Sequence, residues 1–247
     1  MPRDAVSMLS IETLLEFWPS ARSAVVGAVW GLFLFGSVGW LAGWLAQRGW
    51  RVGDTRKVFH FSIFTGAALL RWQVDVGAVS VFGCVIVAGI VSIVRLGSRS
   101  PLFRALARPS DAPHEKLHVL SPLISTAIGG VLAQFIAGPQ AVVAYLVAGW
   151  GDAVGEPVGI RWGRHRYRVP SLGQLKAERS WEGSAAVFVA SSLAAGIGLW
   201  LSGQTGSQVV ASALMIGAAA TLIEAISPHG WDNLSLLIVV AWLTRFC

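Results

Sequence analysis

The sequence of 247 residues has little charge and almost no cysteine. Only 13% of its residues are charged, whereas an ordinary soluble domain carries about 25%. The apolar residues make up 54% of the chain and come in long blocks, which excludes a water-soluble globular protein and a disordered chain. The two cysteines, Cys84 and Cys247, have no CxxC partner and no metal-ligand neighbour. They therefore exclude a disulfide scaffold and are interpreted as inert thiols.

What the sequence has instead is a series of apolar blocks of membrane-spanning length. Only helices and closed barrels satisfy the backbone in lipid, and barrel strands alternate over about ten residues. These continuous runs therefore predict an all-α fold, a polytopic helical membrane protein. We count about eight transmembrane helices, each near the roughly twenty residues that a bilayer requires. They lie at about 21–46, 58–72, 76–94, 119–137, 140–160, 184–201, 208–226 and 233–246.

The chain shows no domain boundary, so residues 1–247 are predicted to form a single integral-membrane domain. Its first part, residues 1–20, is predicted to be an interfacial amphipathic segment. The apolar positions that recur there at helical spacing are Met8, Ile11, Leu14, Leu15 and Trp18.

Basic residues mark one side of the membrane. Fifteen of the 19 lie in the stretches 48–57, 95–116 and 161–179, which follow the first, third and fifth spans and so share a side. The positive-inside bias makes that side cytoplasmic and places both the N- and C-termini outside. The net charge of +6 then reflects topology and anionic headgroups, and no nucleic acid partner is expected.

Two carboxylates lie where a membrane helix should have none. Asp152 and Glu156 fall inside the fifth apolar run, and their spacing places them on one helical face. Pro157 removes the amide that would bond the carbonyl of Ala153. Two carboxylates beside a freed carbonyl predict an oxygen site for a hard cation such as Mg²⁺.

Glycines at 151, 155, 159 and 163 recur every fourth residue through the same helix. This spacing is typical of a close helix–helix contact, and it leaves open whether the partner helix belongs to this chain or to a homodimer. A smooth glycine face would also let a ligand approach the backbone beside the acids.

The stretch that follows is rich in groups that bind phosphate. Arg164, Arg166, Lys176 and Arg179 precede Ser180, which we expect to cap the next helix. A helix N-terminus beside cations is a natural anion site. Together with Asp152, Glu156 and Glu182, it indicates a metal–polyphosphate site.

Further polar residues lie at the same ends of other spans. Lys57 and His60 share a face at the start of the second span, and Asp232 and Asn233 precede the eighth. The cluster of His114, Glu115 and His118 fits no zinc pattern, and we interpret it as part of a loop surface.

These motifs resemble the family of CTP-dependent lipid kinases that includes dolichol kinase and phytol kinase, and more distantly the CDP-diacylglycerol synthases. An Arg-Lys-x-x-His element, a Gly-Asp before spaced glycines, a basic-Ser-x-Glu-Gly-Ser element, a late Glu and an Asp-Asn follow in order. The matching residues are Arg56, Lys57, His60, Gly151, Asp152, Gly155, Gly159, Gly163, Arg179, Ser180, Glu182, Gly183, Ser184, Glu224, Asp232 and Asn233.

The resemblance implies transfer of the γ-phosphate of CTP, or of another nucleoside triphosphate, to a long-chain isoprenoid alcohol such as phytol, farnesol or dolichol. It implies a Mg²⁺-dependent site facing the cytoplasm. The implied metal ligands are Asp152, Glu156, Glu182 and Asp232. The implied nucleotide and phosphate contacts are Arg56, Arg164, Arg166, Lys176, Arg179, Ser180, Gly183 and Asn233. Asp152, Glu182, Lys57 and His60 would be catalytic, with His60 orienting or deprotonating the alcohol.

Two other functions stay open at this point. The first is a CTP:phosphatidate cytidylyltransferase, although the His-Gly-Gly and Asp-Arg signature of the synthases is only partly present at 229–233. The second is a cation-coupled transporter, since transporters also carry acids within the membrane. A transporter needs groups accessible from both sides, whereas the polar residues here gather on one side.

Overall fold

The computed structural model describes residues 15–169, 177–227 and 231–247. It is helical, as predicted, and consecutive long helices run in alternating directions. The helices are α1 (Ala21–Gln47), α2 (Val52–Gln73), α3 (Val76–Leu96), α4 (Pro101–Leu106), α5 (Glu115–Ala137), α6 (Ala141–Trp162), α7 (Trp181–Leu201), α8 (Ser207–Ile226) and α9 (Asp232–Leu243).

Several helices begin at a polar side chain that caps the free amides of the first turn. The Ser20 hydroxyl accepts from the amide of Ser23 at 3.1 Å, and the Asp75 carboxylate accepts from that of Ala78 at 2.7 Å. Ser180 caps α7 through the amide of Gly183 at 3.1 Å, as predicted. These residues therefore fix where the apolar runs enter and leave the bundle.

Five helical stretches of the described residues are long and apolar enough to cross a membrane, which confirms a polytopic helical membrane protein. The stretch from Glu115 to Trp162 counts as one of these five although it contains both α5 and α6. The eighth predicted span, 233–246, is shorter than expected. Its helix, α9, has 12 residues and begins at Asp232, which is buried.

The segment between α6 and α7 is more than the loop that the sequence indicates. Strands β1 (Arg166–Val169) and β2 (Ala177–Ser180) form an antiparallel hairpin, with Arg166 opposite Ser180 and Arg168 opposite Glu178. The segment 97–111, between α3 and α5, is divided by Pro101 and Pro109 into short helical turns, and within it α4 buries Leu102 and Phe103.

We call α1–α4 the first half of the bundle and α5–α9 the second half. Helix α6 lies at the centre of the second half, packed by α2, α7 and α9. Its first nine residues, 141–149, are all buried, as expected for a helix that is apolar on every face. A second apolar core joins α1, α2, α3 and α4. The site described below lies where these two halves meet.

The glycine stripe of α6 packs against α7. A Cβ at Gly155 would lie 2.7 Å from a methyl group of Val187, and one at Gly183 would lie 2.8 Å from the carbonyl oxygen of Gly155. The close helix contact indicated by the spacing is therefore formed within the chain. The face that the sequence left open for a homodimer is already covered.

Two glycines of α7 test this packing in opposite ways. A Cβ at Gly198 would lie 2.8 Å from the Cα of Val143, whereas one at Gly196 would make an ordinary 3.7 Å contact with Ala213. We expect Gly198→Ala to lower the free energy of unfolding by about 1–3 kcal/mol through overpacking. Gly196→Ala gains helix propensity and should be neutral or stabilising.

Thermal unfolding of the two variants in detergent, followed by circular dichroism, measures the difference. Equal unfolding midpoints for Gly198→Ala and Gly196→Ala would contradict the close approach of α6 and α7.

Candidate active site

A cavity of about 660 Å³ lies at the end of the bundle where α2, α5, α7 and α9 begin and where α6 and α8 end. Its lining combines both signs of charge from the helices, the hairpin and the segment between α4 and α5. The basic residues are Arg56, Lys57, Arg108, Arg166 and Arg179. The acidic residues are Asp111, Asp152, Glu156, Glu178, Glu224 and Asp232.

An ion pair between α2 and α6 forms the inner wall. The ammonium of Lys57 donates to Oδ1 of Asp152 at 2.7 Å, and both residues are buried. The other carboxylate oxygen, Oδ2, lies 3.4 Å from Nε2 of His60. The same nitrogen lies 3.3 Å from the carbonyl oxygen of Ala148. Because both of these oxygens are acceptors, we assign the proton to Nε2. His60 then contacts Asp152 and lies outside the cavity lining.

Glu156 lies one helical turn beyond Asp152 and is held by two cations. Nη2 of Arg108 donates to its Oε1 at 2.6 Å, and Nζ of Lys57 lies 4.0 Å from its Oε2. Arg108 comes from the proline-containing segment after α4, so this ion pair ties that segment to α6.

The opposite wall is built by the hairpin, α7 and α8. Arg179 on β2 forms an ion pair with Glu224 at the end of α8, which is buried. The hydroxyl of Tyr167 on β1 lies 2.6 Å from that of Ser184 on α7. These contacts fix the hairpin over the mouth of the cavity and place Arg166 and Arg179 in its wall.

The structure brings most of the residues predicted for the site into this one cavity. Those that line it are Arg56, Lys57, Asp152, Glu156, Arg166, Arg179, Ser180, Gly183 and Asp232.

Other predicted residues lie elsewhere. His60 lies behind Asp152, and Arg164 is exposed. Glu182 points to the hairpin, where its Oε1 lies 2.8 Å from Nδ1 of His165. The side-chain amide of Asn233 donates to Thr126 of α5 at 2.8 Å. Lys176 lies outside the described residues, as do positions 1–14 of the predicted interfacial segment.

Several residues that line the cavity had no site role predicted from the sequence, among them Arg108, His118, Ser121 and Glu224. The position of Glu224 in the family pattern was a signal for one of them. For Arg108 and His118 the only signal was that their segment shares a side with the other basic loops. His118 is half-buried against the cavity, which corrects its interpretation as a loop-surface residue.

The carboxylates of the cavity offer oxygen atoms of the kind that a divalent cation binds. The described residues contain no group of three or more His, Cys, Asp or Glu that would hold a metal ion by themselves. Mg²⁺ commonly uses one or two carboxylates and completes its shell with water and phosphate oxygens. Asp152, Glu156 and Asp232 face one cavity and offer such oxygens, so the donor set fits Mg²⁺.

Comparison with known proteins finds a relative that covers most of the chain. A phytol kinase from Synechocystis sp. (strain ATCC 27184 / PCC 6803 / Kazusa) is 29% identical over 194 residues, covering 76% of this chain and 78% of that protein. No family model and no solved structure matches the chain. This similarity agrees with the resemblance seen in the motifs, and it identifies the chain as a homologue of phytol kinase.

Proposed function

We propose that this protein is an integral-membrane kinase that transfers the γ-phosphate of CTP, or of another nucleoside triphosphate, to the hydroxyl of an isoprenoid alcohol. As a phytol kinase homologue it is a phosphotransferase acting on a lipid alcohol. The observation that carries the proposal is the cavity at one end of a membrane bundle, where carboxylates and guanidinium groups face each other.

The cavity walls are linked by ion pairs that a nucleotide would rearrange. Arg108 is paired with Glu156, Arg179 with Glu224 and Lys57 with Asp152. A triphosphate competes for the arginines because guanidinium and phosphate form strong charge-assisted hydrogen bonds. We propose that the arginines move to the phosphates, and that Ser180 and the amides at the start of α7 add neutral donors.

In this scheme three carboxylates of the cavity hold the metal that accompanies the nucleotide. Asp152, Glu156 and Asp232 would be its ligands, and the ion would neutralise charge on the phosphates. Glu182 lies outside this set, and we propose that it positions the hairpin through His165.

Phosphoryl transfer then needs positioning and charge balance more than covalent assistance. The alcohol oxygen forms a bond to the γ-phosphorus while the bond from that phosphorus to the β–γ bridging oxygen breaks. The products are a lipid monophosphate, a nucleoside diphosphate and one proton. We propose that Asp152, oriented by His60 and Lys57, accepts the hydrogen bond of the attacking hydroxyl and receives its proton.

The orientation proposed from the sequence is compatible with this chemistry. The predicted eight spans with both termini outside would place the basic stretches, and hence the cavity, on the cytoplasmic side. Nucleotide is present there, and the alcohol would reach the site from the lipid. The transferred phosphate would then remain at the cytoplasmic surface of the membrane.

Removing the charge of Asp152 tests its central position. We expect Asp152→Asn to lower kcat by about 10²–10³-fold, the loss typical of removing one preorganised electrostatic group. The matched control is Asp75→Asn at the opposite end of the bundle, since asparagine caps a helix as well as aspartate. Turnover of phytol or farnesol with CTP is the measurement, and gel filtration checks that both variants are folded. Full turnover by Asp152→Asn would remove Asp152 from the chemistry.

Labelled nucleotide separates the kinase from a cytidylyltransferase. We expect lipid extracted after reaction with γ-labelled CTP to carry the label, because the bond to the γ-phosphorus is the one formed. Lipid from a parallel reaction with α-labelled CTP should stay unlabelled. Label from the α position alone, with release of pyrophosphate, would instead establish transfer of a cytidylyl group.

Arg108 tests the role of the segment between α4 and α5. We expect Arg108→Gln to weaken nucleotide binding by about tenfold or more, since a hydrogen bond to a charged group contributes roughly 1.5–3 kcal/mol. Arg104→Gln is the matched control, because Arg104 lies on α4, four residues before Arg108, but is exposed and outside the cavity lining. Calorimetric titration with CTP and Mg²⁺ measures both variants. Equal affinities would show that Arg108 serves only the fold.

A further inference from the structure

A second cavity lies between α2 and α6, on the far side of Lys57 from the charged cavity. It has a volume of about 290 Å³, and its walls include Val58, Phe61, Ala153 and Pro157. We call this the α2–α6 groove. Lys57 lines both the groove and the charged cavity, so the two spaces meet at the ion pair between Lys57 and Asp152.

Phe61, which lines the groove, belongs to a face of α2 that is apolar and exposed. Phe61, Leu69 and Trp72 are all exposed, and their spacing places them on one side of the helix. An exposed apolar stripe along a membrane helix faces lipid. With this face in lipid, the groove would lie between the hydrocarbon region and the charged cavity.

The two ends of the groove differ in character. Asp54 and Arg161 form an ion pair of 2.7 Å at the end near the helix termini, which places that end at the level of the headgroups. Deeper along α2, the rings of Phe61 and Trp150 lie 5.2 Å apart, and the indole of Trp150 donates to Thr65 at 3.0 Å. The groove thus matches an amphipathic molecule with one polar end.

Its inner wall offers a hydrogen-bond acceptor as well as a cation. Pro157 has no amide hydrogen to donate to the carbonyl of Ala153, and both residues line the groove beside Lys57. A hydroxyl group can donate to such a carbonyl and accept from an ammonium. A carboxylate or phosphate headgroup could not donate in this way.

We propose that the α2–α6 groove is the binding site for the head end of the acceptor alcohol. This inference rests on the proposed kinase function. The hydroxyl points to Lys57 and Asp152, and the first isoprene units lie against Phe61 and Trp150. At about 290 Å³ the groove is smaller than pockets that enclose a whole drug-sized ligand, which hold roughly 300–1,000 Å³. The rest of the chain therefore remains in the bilayer, and turnover depends weakly on its length.

Photo-crosslinking of the full-length protein in nanodiscs locates the alcohol independently of turnover. The probe is an isoprenoid alcohol with a diazirine in its first isoprene units, and mass spectrometry identifies the labelled peptides. We expect label on α2 around Phe61 and on α6 around Trp150, reduced by excess phytol. Label spread over the exposed faces of α7 and α8, with none preferred on α2 and α6, would overturn the inference.

Filling the groove gives a kinetic test. We expect Val58→Trp to raise the KM for phytol by about tenfold or more with a smaller change in kcat, because it removes binding of the acceptor. Its matched control is Val189→Trp, since Val189 is exposed on α7 away from the groove. Phe61→Ala serves as a second variant that only removes contacts, and it should raise the same KM.

The outcomes separate this inference from the proposed function. Phosphorylated alcohol from the wild type, together with an unchanged KM in both groove variants, would refute the groove and leave the kinase standing. Specific label in the groove with no phosphorylated product would support the groove and refute the kinase.

Discussion

The ion pair between Lys57 and Asp152 is the interaction on which the site depends. A lone carboxylate in a membrane helix costs several kcal/mol, and burial makes an unpaired charge strongly destabilising. Here the two charges lie 2.7 Å apart and join α2 of the first half of the bundle to α6 of the second. Because His60 and Glu156 also contact this pair, the same contact that holds the halves together orients the polar residues around it.

The glycine stripe of α6 provides a second fixed contact, with α7, in addition to the Lys57–Asp152 ion pair with α2. Where α2 is held by charge, α7 is held by close packing, with Gly155 and Gly183 allowing the backbones to approach. Packing of this kind is directional and rigid. It keeps Ser180 and the first turn of α7 beside the acids of α6, so the proposed hydrogen-bond donors to phosphate and the carboxylates are fixed relative to one another.

Much of the fold could be predicted from the sequence because length and apolar periodicity determine a membrane helix almost locally. The ends of α1, α6, α7 and α8 follow directly from where the apolar runs begin and end. The end of α9 was harder to predict, because its short apolar run continues into a helical turn that begins at Thr244. The hairpin was missed since its strands are only four residues long and polar, and their pairing depends on the helices that they join.

Only part of the site could be predicted, because some of its residues depend on how distant segments fold together. Acids within apolar runs, such as Asp152, stand out in any sequence. Arg108 and His118 do not, because their role depends on how the segment after α4 folds back onto α6. Asn233 and Glu182 show the opposite case. Here a motif identifies the residue, but it does not predict which neighbour the side chain contacts. Asn233 contacts Thr126, and Glu182 contacts His165.

The short α9 has a consequence for the membrane around it. Twelve residues span about 18 Å as a helix, well short of a hydrocarbon core of about 30 Å. Its first residues, Asp232 and Asn233, are polar and line or adjoin the charged cavity. If α9 spans the membrane, the leaflet on that side would thin locally, or admit water, to reach them. A thinned, hydrated region of this kind would let a water-soluble phosphate donor meet an acceptor lipid whose chain stays in the hydrocarbon core.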